Sequence, residues 1–183
     1  PQESGDSQWV SGMSSTAKYV LAVFTWSVLS FFLGRILPKS LFRFRSFPYR
    51  LFRFEKNGKI YECLKIRKWQ SKIPDMSKLL PKLVCPKRLT SETTPEKIDL
   101  LLCETCIAEF IHTVNNVFAI LCLAFWSNGV IRFLCFIYVA GNMPFIIVQR
   151  YNRPRLERLK EIMQKRAKRK EVRYESPDTE LQY

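Results

Sequence analysis

Histidine is the scarcest chemistry-bearing residue in this 183-residue chain: His112 stands alone. That scarcity excludes much. A structural zinc site needs four Cys or His ligands at short spacings. Cys103 and Cys106 form a C-x-x-C, but no second pair follows at a zinc-site spacing, and His112 cannot complete the set. Glu109 to His112 has the Glu-x-x-His form of di-iron bundles, yet the second copy that such sites require is missing. No bound metal or cofactor is therefore expected. Fixed-period repeats and low-complexity tracts are also absent, which excludes a solenoid. The six cysteines do not read as a disulfide framework: Cys122 and Cys135 fall inside apolar runs, and the other four lie in segments assigned below to the cytoplasm.

Acid is in short supply too, with 16 Asp and Glu against 30 Lys and Arg and a net charge of +14. Such an excess suits nucleic acid, an anionic membrane surface or phosphorylated ligands. Here the basic residues flank apolar stretches long enough to cross a bilayer, where anionic headgroups attract each by ~1 kcal/mol. The expected partner is the lipid bilayer rather than nucleic acid. The mean hydropathy of −0.11 hides this, because it averages strongly apolar regions with strongly basic ones.

Three runs are predicted to span: residues 19–37, 107–126 and 130–151, the last two joined by the turn-forming Ser127-Asn128-Gly129. The first has no basic start and no small-residue cleavage site, so it reads as a retained helix rather than a signal peptide. Lys18 is the only basic residue before it; sixteen lie between Pro38 and Cys106, none in the Ser127 turn, and eleven after Gln149. Cytoplasmic segments retain Lys and Arg. The expected topology is an outside N-terminus, a cytoplasmic central segment, an outside hairpin tip and a cytoplasmic C-terminus. The fold class is thus an all-α membrane protein of three transmembrane helices, with a basic cytoplasmic segment and a C-terminal surface helix. Residues 1–18 form an outer tail, 19–165 the membrane domain and 166–183 a cytoplasmic tail.

Within the central segment, Leu41-Phe42-Arg43-Phe44 recurs as Leu51-Phe52-Arg53-Phe54, an interleaving of rings and cations that suits the headgroup layer. Asn57-Gly58 is a two-residue turn signal and predicts a short β-hairpin, although Lys56 opposite Lys59 counts against it. Pro74, Pro81, Pro86 and Pro95 exclude a long helix from Ile73 to Pro95 and imply a loop over the membrane surface. Helix resumes at Pro95, with Thr94 as its cap.

The second span carries Glu104, Glu109, His112, Asn115 and Asn116. At 100° per residue Glu109, His112 and Asn116 share one face, with Glu104 and Asn115 on its flank. Such groups either hold helices together or mark a functional site, since ionisable residues are costly in lipid. On the third span Tyr138, Asn142 and Gln149 form a matching face, with Pro144 expected to kink the helix. Pro154 is expected to end that helix and start another along the membrane surface, concentrating Arg150, Arg153 and Arg155 at the interface. Those arginines either follow the positive-inside rule or grip phosphate oxygens.

Tyr61 to Asp75 (YECLKIRKWQSKIPD), Glu104 to His112 (ETCIAEFIH) and Asn142 to Leu156 (NMPFIIVQRYNRPRL) resemble the glycosyl-4,4'-diaponeurosporenoate acyltransferases, bacterial membrane enzymes of staphyloxanthin-type carotenoid biosynthesis. The resemblance implies O-acyl transfer from an activated fatty acyl donor, such as acyl-CoA, to a sugar hydroxyl of a carotenoid glycoside or glycolipid at the cytoplasmic leaflet. On that reading His112, oriented by Glu109 with Glu104 nearby, removes the hydroxyl proton, and Asn142 or Asn116 stabilises the oxyanion. Arg67, Lys68, Arg150 and Arg153 would hold donor phosphates, and the matched segments add Trp69, Asp75, Asn152 and Arg155 to the binding set. Two other readings remain open: a non-catalytic membrane subunit anchoring a biosynthetic partner, and a metalloenzyme built on Glu104, Glu109 and His112.

Overall fold

Why a chain with so much charge still forms long helices is visible at their ends. The computed structural model describes residues 13–74, 89 and 93–175. Helix α1 runs Ser15–Ile36; Ser14 Oγ accepts the Ala17 N–H at 3.3 Å, and Leu37-Pro38 closes the far end. A 3₁₀ turn at Lys39–Leu41, a 3₁₀ stretch over Arg53–Glu62 and the single-turn helix α2 (Ile66–Trp69) follow. Helix α3 spans Pro95–Leu121 and starts as the sequence indicates: Pro95 needs no partner for an N–H it lacks, and Thr94 Oγ1 accepts the Lys97 N–H at 3.4 Å. Helix α4 spans Gly129–Glu175. Asn128 caps it through Oδ1, which accepts the Ile131 N–H at 2.9 Å.

The chain divides into two compact units. One takes the described residues up to Phe42 together with Ile107–Gln149; the other takes those from Arg43 to Cys106 and from Arg150 onward.

In the first unit, burial runs opposite to that of a water-soluble protein. Phe24 is 66% exposed and Phe136 67%, whereas Ser30 is 0%, Asn115 5% and Asn116 6% exposed. Apolar groups turned outward and polar groups turned inward are what a lipid solvent selects. Helices α1, α3 and α4 are each long and apolar enough to cross a membrane. Tyr19, Val23, Ala119, Cys122, Ile131 and Cys135 form the core, and Trp26 stacks on Phe118 at 4.7 Å. Gly34 allows α1 to lie close to α3: a Cβ there would meet Ile111 Cδ1 at 2.8 Å and Ile107 Cγ2 at 3.2 Å.

The second unit is held by charge. Arg45 pairs with Glu157 at 2.7 Å and Lys160 with Asp99 at 2.6 Å, around a core that includes Tyr49, Ile66, Ile98, Leu102 and Tyr151.

Two expectations need correction. Among the described residues no strand occurs, so the β-hairpin at Asn57-Gly58 does not form. The positive φ angles fall on Lys56 and Gly58 instead of the adjacent pair a type I′ turn requires, and the segment coils so that Glu55 is buried. Gly58 lies against the later half of α4, where a Cβ would meet Pro154 Cγ at 3.1 Å. Second, Pro154 does not begin a new helix: α4 continues through both Pro144 and Pro154. Proline removes one helical hydrogen bond. Side-chain bonds from Arg150 and Arg153, both in the turn just before Pro154, anchor that turn in helical register. The expected surface loop over Asp75–Pro86 lies outside the described residues.

Candidate active site

A line of polar side chains runs through the first unit. Ser30 Oγ donates to Asn115 Oδ1 at 2.7 Å, and Ser27 Oγ lies 2.7 Å from the Tyr138 hydroxyl. These bonds tie α1 to α3 and α4, and each satisfies groups that lipid would leave bare.

His112 is half-buried on α3 and faces α4. Its Nδ1 lies 2.7 Å from Asn142 Oδ1, and its ring stacks on Phe145 at 4.6 Å with an interplanar angle of 18°. Asn142 Nδ2 donates to the Tyr138 carbonyl at 3.2 Å, which fixes the amide so that its oxygen meets the imidazole. An amide oxygen only accepts, so Nδ1 carries a proton and donates it to Asn142. The arrangement holds the imidazole ring in one plane, with Nε2 on the side away from its anchor.

Glu109 is buried one turn before His112, on the same face. Asn116 is buried one turn after it, and neither its amide nitrogen nor its oxygen has a hydrogen-bond partner among the described residues. Leaving such a group unsatisfied costs about 1–3 kcal/mol. The structure thus places His112 beside Asn142 across two helices, with Asn142 as the imidazole's anchor. Glu104, also buried, belongs to the other unit.

In the second unit, two of the expected phosphate ligands are engaged internally. The Arg150 guanidinium forks onto Glu55, with Nε to Oε1 and Nη2 to Oε2 both at 2.7 Å, and lies over the Phe52 ring at 5.1 Å. Glu55 also accepts the Tyr61 hydroxyl and the Phe52 N–H. Burial raises the Glu55 pKa, but the bonds from Arg150, Tyr61 and Phe52 outweigh it and hold the carboxyl below its usual range. Burial and the same carboxylate push the Tyr61 phenol up to about 12. Arg153 is 1% exposed; its Nε donates to Thr105 Oγ1 at 3.1 Å and Nη2 to the Thr105 carbonyl at 3.3 Å, while Nη1 bonds the Tyr49 carbonyl.

Arg67 and Arg155 stay accessible. Both are organised by Tyr151: Arg67 Nε donates to its hydroxyl at 3.2 Å, and Arg155 lies over its ring at 3.7 Å. Lys68 is exposed, and Trp69 Nε1 is engaged with the Leu64 carbonyl at 2.9 Å. Asn152 is half-buried; Asp75 lies outside the described residues. Among those residues no three His, Cys, Asp or Glu gather closely enough to hold a metal ion.

Sequence reasoning missed Glu55 and Phe145. A signal for Glu55 exists: it is the first acidic residue after Asp6, standing among Arg43, Arg45, Arg50 and Arg53.

Helices fit to cross a membrane, carrying inward-facing polar groups around one oriented histidine, are the class that this fold and site define. The family model for glycosyl-4,4'-diaponeurosporenoate acyltransferase matches residues 40–162, and the chain belongs to that family. Proteins named glycosyl-4,4'-diaponeurosporenoate acyltransferase are its relatives. The one from Staphylococcus aureus strain MRSA252 is 36% identical over 141 residues, covering 75% of this chain and 82% of the relative. Those from strains USA300 and Newman are 35% and 34% identical over the same coverage. No solved structure gives a significant match.

Proposed function

We propose that this protein is a membrane O-acyltransferase that esterifies a fatty acyl group from an activated donor onto a sugar hydroxyl of a carotenoid glycoside or related glycolipid. The observation that carries the reading is the His112–Asn142 pair. With Nδ1–H committed to Asn142, Nε2 takes the proton of the acceptor hydroxyl as its oxygen attacks the thioester carbonyl carbon. The tetrahedral oxyanion then collapses, the C–S bond breaks, and the imidazolium returns its proton to the departing thiolate. Glu109, on the same face, favours the imidazolium. The Asn116 amide, which has no hydrogen-bond partner among the described residues, is placed to donate to the oxyanion. The name of the Staphylococcus relatives, with its glycosyl acceptor, supports the sugar hydroxyl.

The outward apolar surface of α1, α3 and α4 supports membrane embedding, and the sixteen and eleven basic residues of the central segment and tail support a cytoplasmic position for both. Cells that make the acceptor glycolipid, with and without this gene, provide the test. Mass spectrometry of their lipid extracts should show a species heavier by one acyl group only where the gene is present. Identical lipid profiles in the two strains would remove the reading.

A further inference from the structure

A cleft of about 680 Å³ opens in the second unit, and the charges around it are unevenly paired. Lys59, Arg67, Arg155 and Arg158 line it. Of its three carboxylates, Glu62 is shared by Arg155 at 3.2 Å and Arg67 at 4.0 Å. Glu157 is taken at 2.7 Å by Arg45, which lies outside the lining. Only Glu161 is left to face Lys59 and Arg158, and neither of those cations has an ion pair among the described residues. Counting Arg45, five cations meet three carboxylates, an excess of two positive charges.

The volume lies within the ~300–1,000 Å³ range of organic-ligand pockets and far exceeds what one phosphate group fills. Tyr151 holds two of the guanidinium groups in place, one by its hydroxyl and one by its ring, so less freedom is lost when an anion arrives. Arg150 and Arg153, by contrast, are spent on internal bonds and form the scaffold behind this wall.

We infer that this cleft binds the phosphate-bearing end of a coenzyme A type acyl donor, with Lys59 and Arg158 on its phosphates and Arg67 and Arg155 as the pre-oriented guanidinium groups. The inference rests on the acyltransferase reading for its choice of ligand. A phospholipid headgroup offers the same phosphate chemistry, but with one phosphate; the volume and the separate sets of cations favour a ligand with several.

The full chain in nanodiscs of zwitterionic lipid, titrated calorimetrically with coenzyme A, dephospho-coenzyme A and inorganic phosphate, tests this without turnover. Coenzyme A should bind saturably and more tightly than the other two. Lys59→Glu with Arg158→Glu should weaken it by at least about tenfold, because both side chains then repel phosphate. Glu161→Gln should tighten it by about two- to fivefold, an outcome no loss of fold produces. Lys168→Glu, on the exposed later part of α4, should change nothing. Equal coenzyme A affinity in wild type and the double variant, or no coenzyme A binding at all, overturns the inference. So does a double variant impaired only in binding anionic phospholipid vesicles. These results leave the acyl-transfer reading standing, since another donor then serves His112; a chain that binds coenzyme A and forms no acyl product fails that reading alone.

Discussion

Replacing Glu55 by Ala should be strongly destabilising to the second unit. Glu55 is fully buried, accepts both arms of the Arg150 guanidinium at 2.7 Å, and takes the Tyr61 hydroxyl and the Phe52 N–H as well. Its removal strands a guanidinium whose side chain is 10% exposed. Breaking one side of a buried ion pair costs roughly 3–5 kcal/mol, most of it from the charge left behind. The lost carboxylate alone does not set the magnitude, so the double change Glu55→Leu with Arg150→Met should recover most of it, as apolar replacement of a whole buried pair does. Thermal unfolding of the detergent-solubilised protein, followed by tryptophan fluorescence, should place the Ala variant below wild type by about 2–4 °C for each kcal/mol lost. The double variant should return close to wild type. A shift of under about 2 °C for the Ala variant, or a double variant worse than either single one, refutes the claim that this pair is the unit's keystone.

Four further outcomes follow from the same geometry. The Glu55 carboxyl titrates below its ordinary 4.5 when folded, so its contribution is fully present above that pH and is lost as pH falls through the folded value; Glu55→Gln should flatten that acid limb of stability. The Tyr61 phenol, raised from 10.0 to about 12, contributes stability that is lost as pH climbs between those values, and Tyr61→Phe should remove that alkaline loss in a pH series of unfolding curves. Gly34→Leu forces a side chain into Ile111 and Ile107, and overpacking of this kind should cost about 1–3 kcal/mol in the same melts, whereas Val28→Leu on the exposed face should cost nothing measurable. Asn142→Ala frees the His112 ring and should lower kcat by about 10²-fold with little change in the acceptor KM, while Asn142→Asp, which still accepts from Nδ1, should restore most of the rate.

The apolar helices were legible because their signal is local and redundant: long runs without charge, a Thr94-Pro95 start, and a Ser127-Asn128-Gly129 turn whose Asn128 does cap the next helix. The shared face of Tyr138 and Asn142 was legible for the same reason, since helical periodicity carries it. What sequence did not show is set by contacts distant along the chain. Glu55 and Arg150 are 95 positions apart, and the would-be hairpin strand is instead a 3₁₀ stretch whose carboxylate is buried against that distant arginine. Pro154 carries a strong local break signal, yet tertiary bonds from Arg150 and Arg153 keep the helix running through it. Arg150 and Arg153 read as surface cations because charge counting cannot distinguish a guanidinium facing headgroups from one bonded to carbonyls inside the fold.

The proposed chemistry depends on Nε2 of one imidazole. Purified protein in lipid nanodiscs, given an acyl-CoA and an alkyl glucoside acceptor, should form ester at a rate that drops by about 10²–10⁴-fold in His112→Ala, the range of general-base assistance. The variant should still show the wild-type helical content by circular dichroism. Ester formation at the wild-type rate in folded His112→Ala would contradict the account.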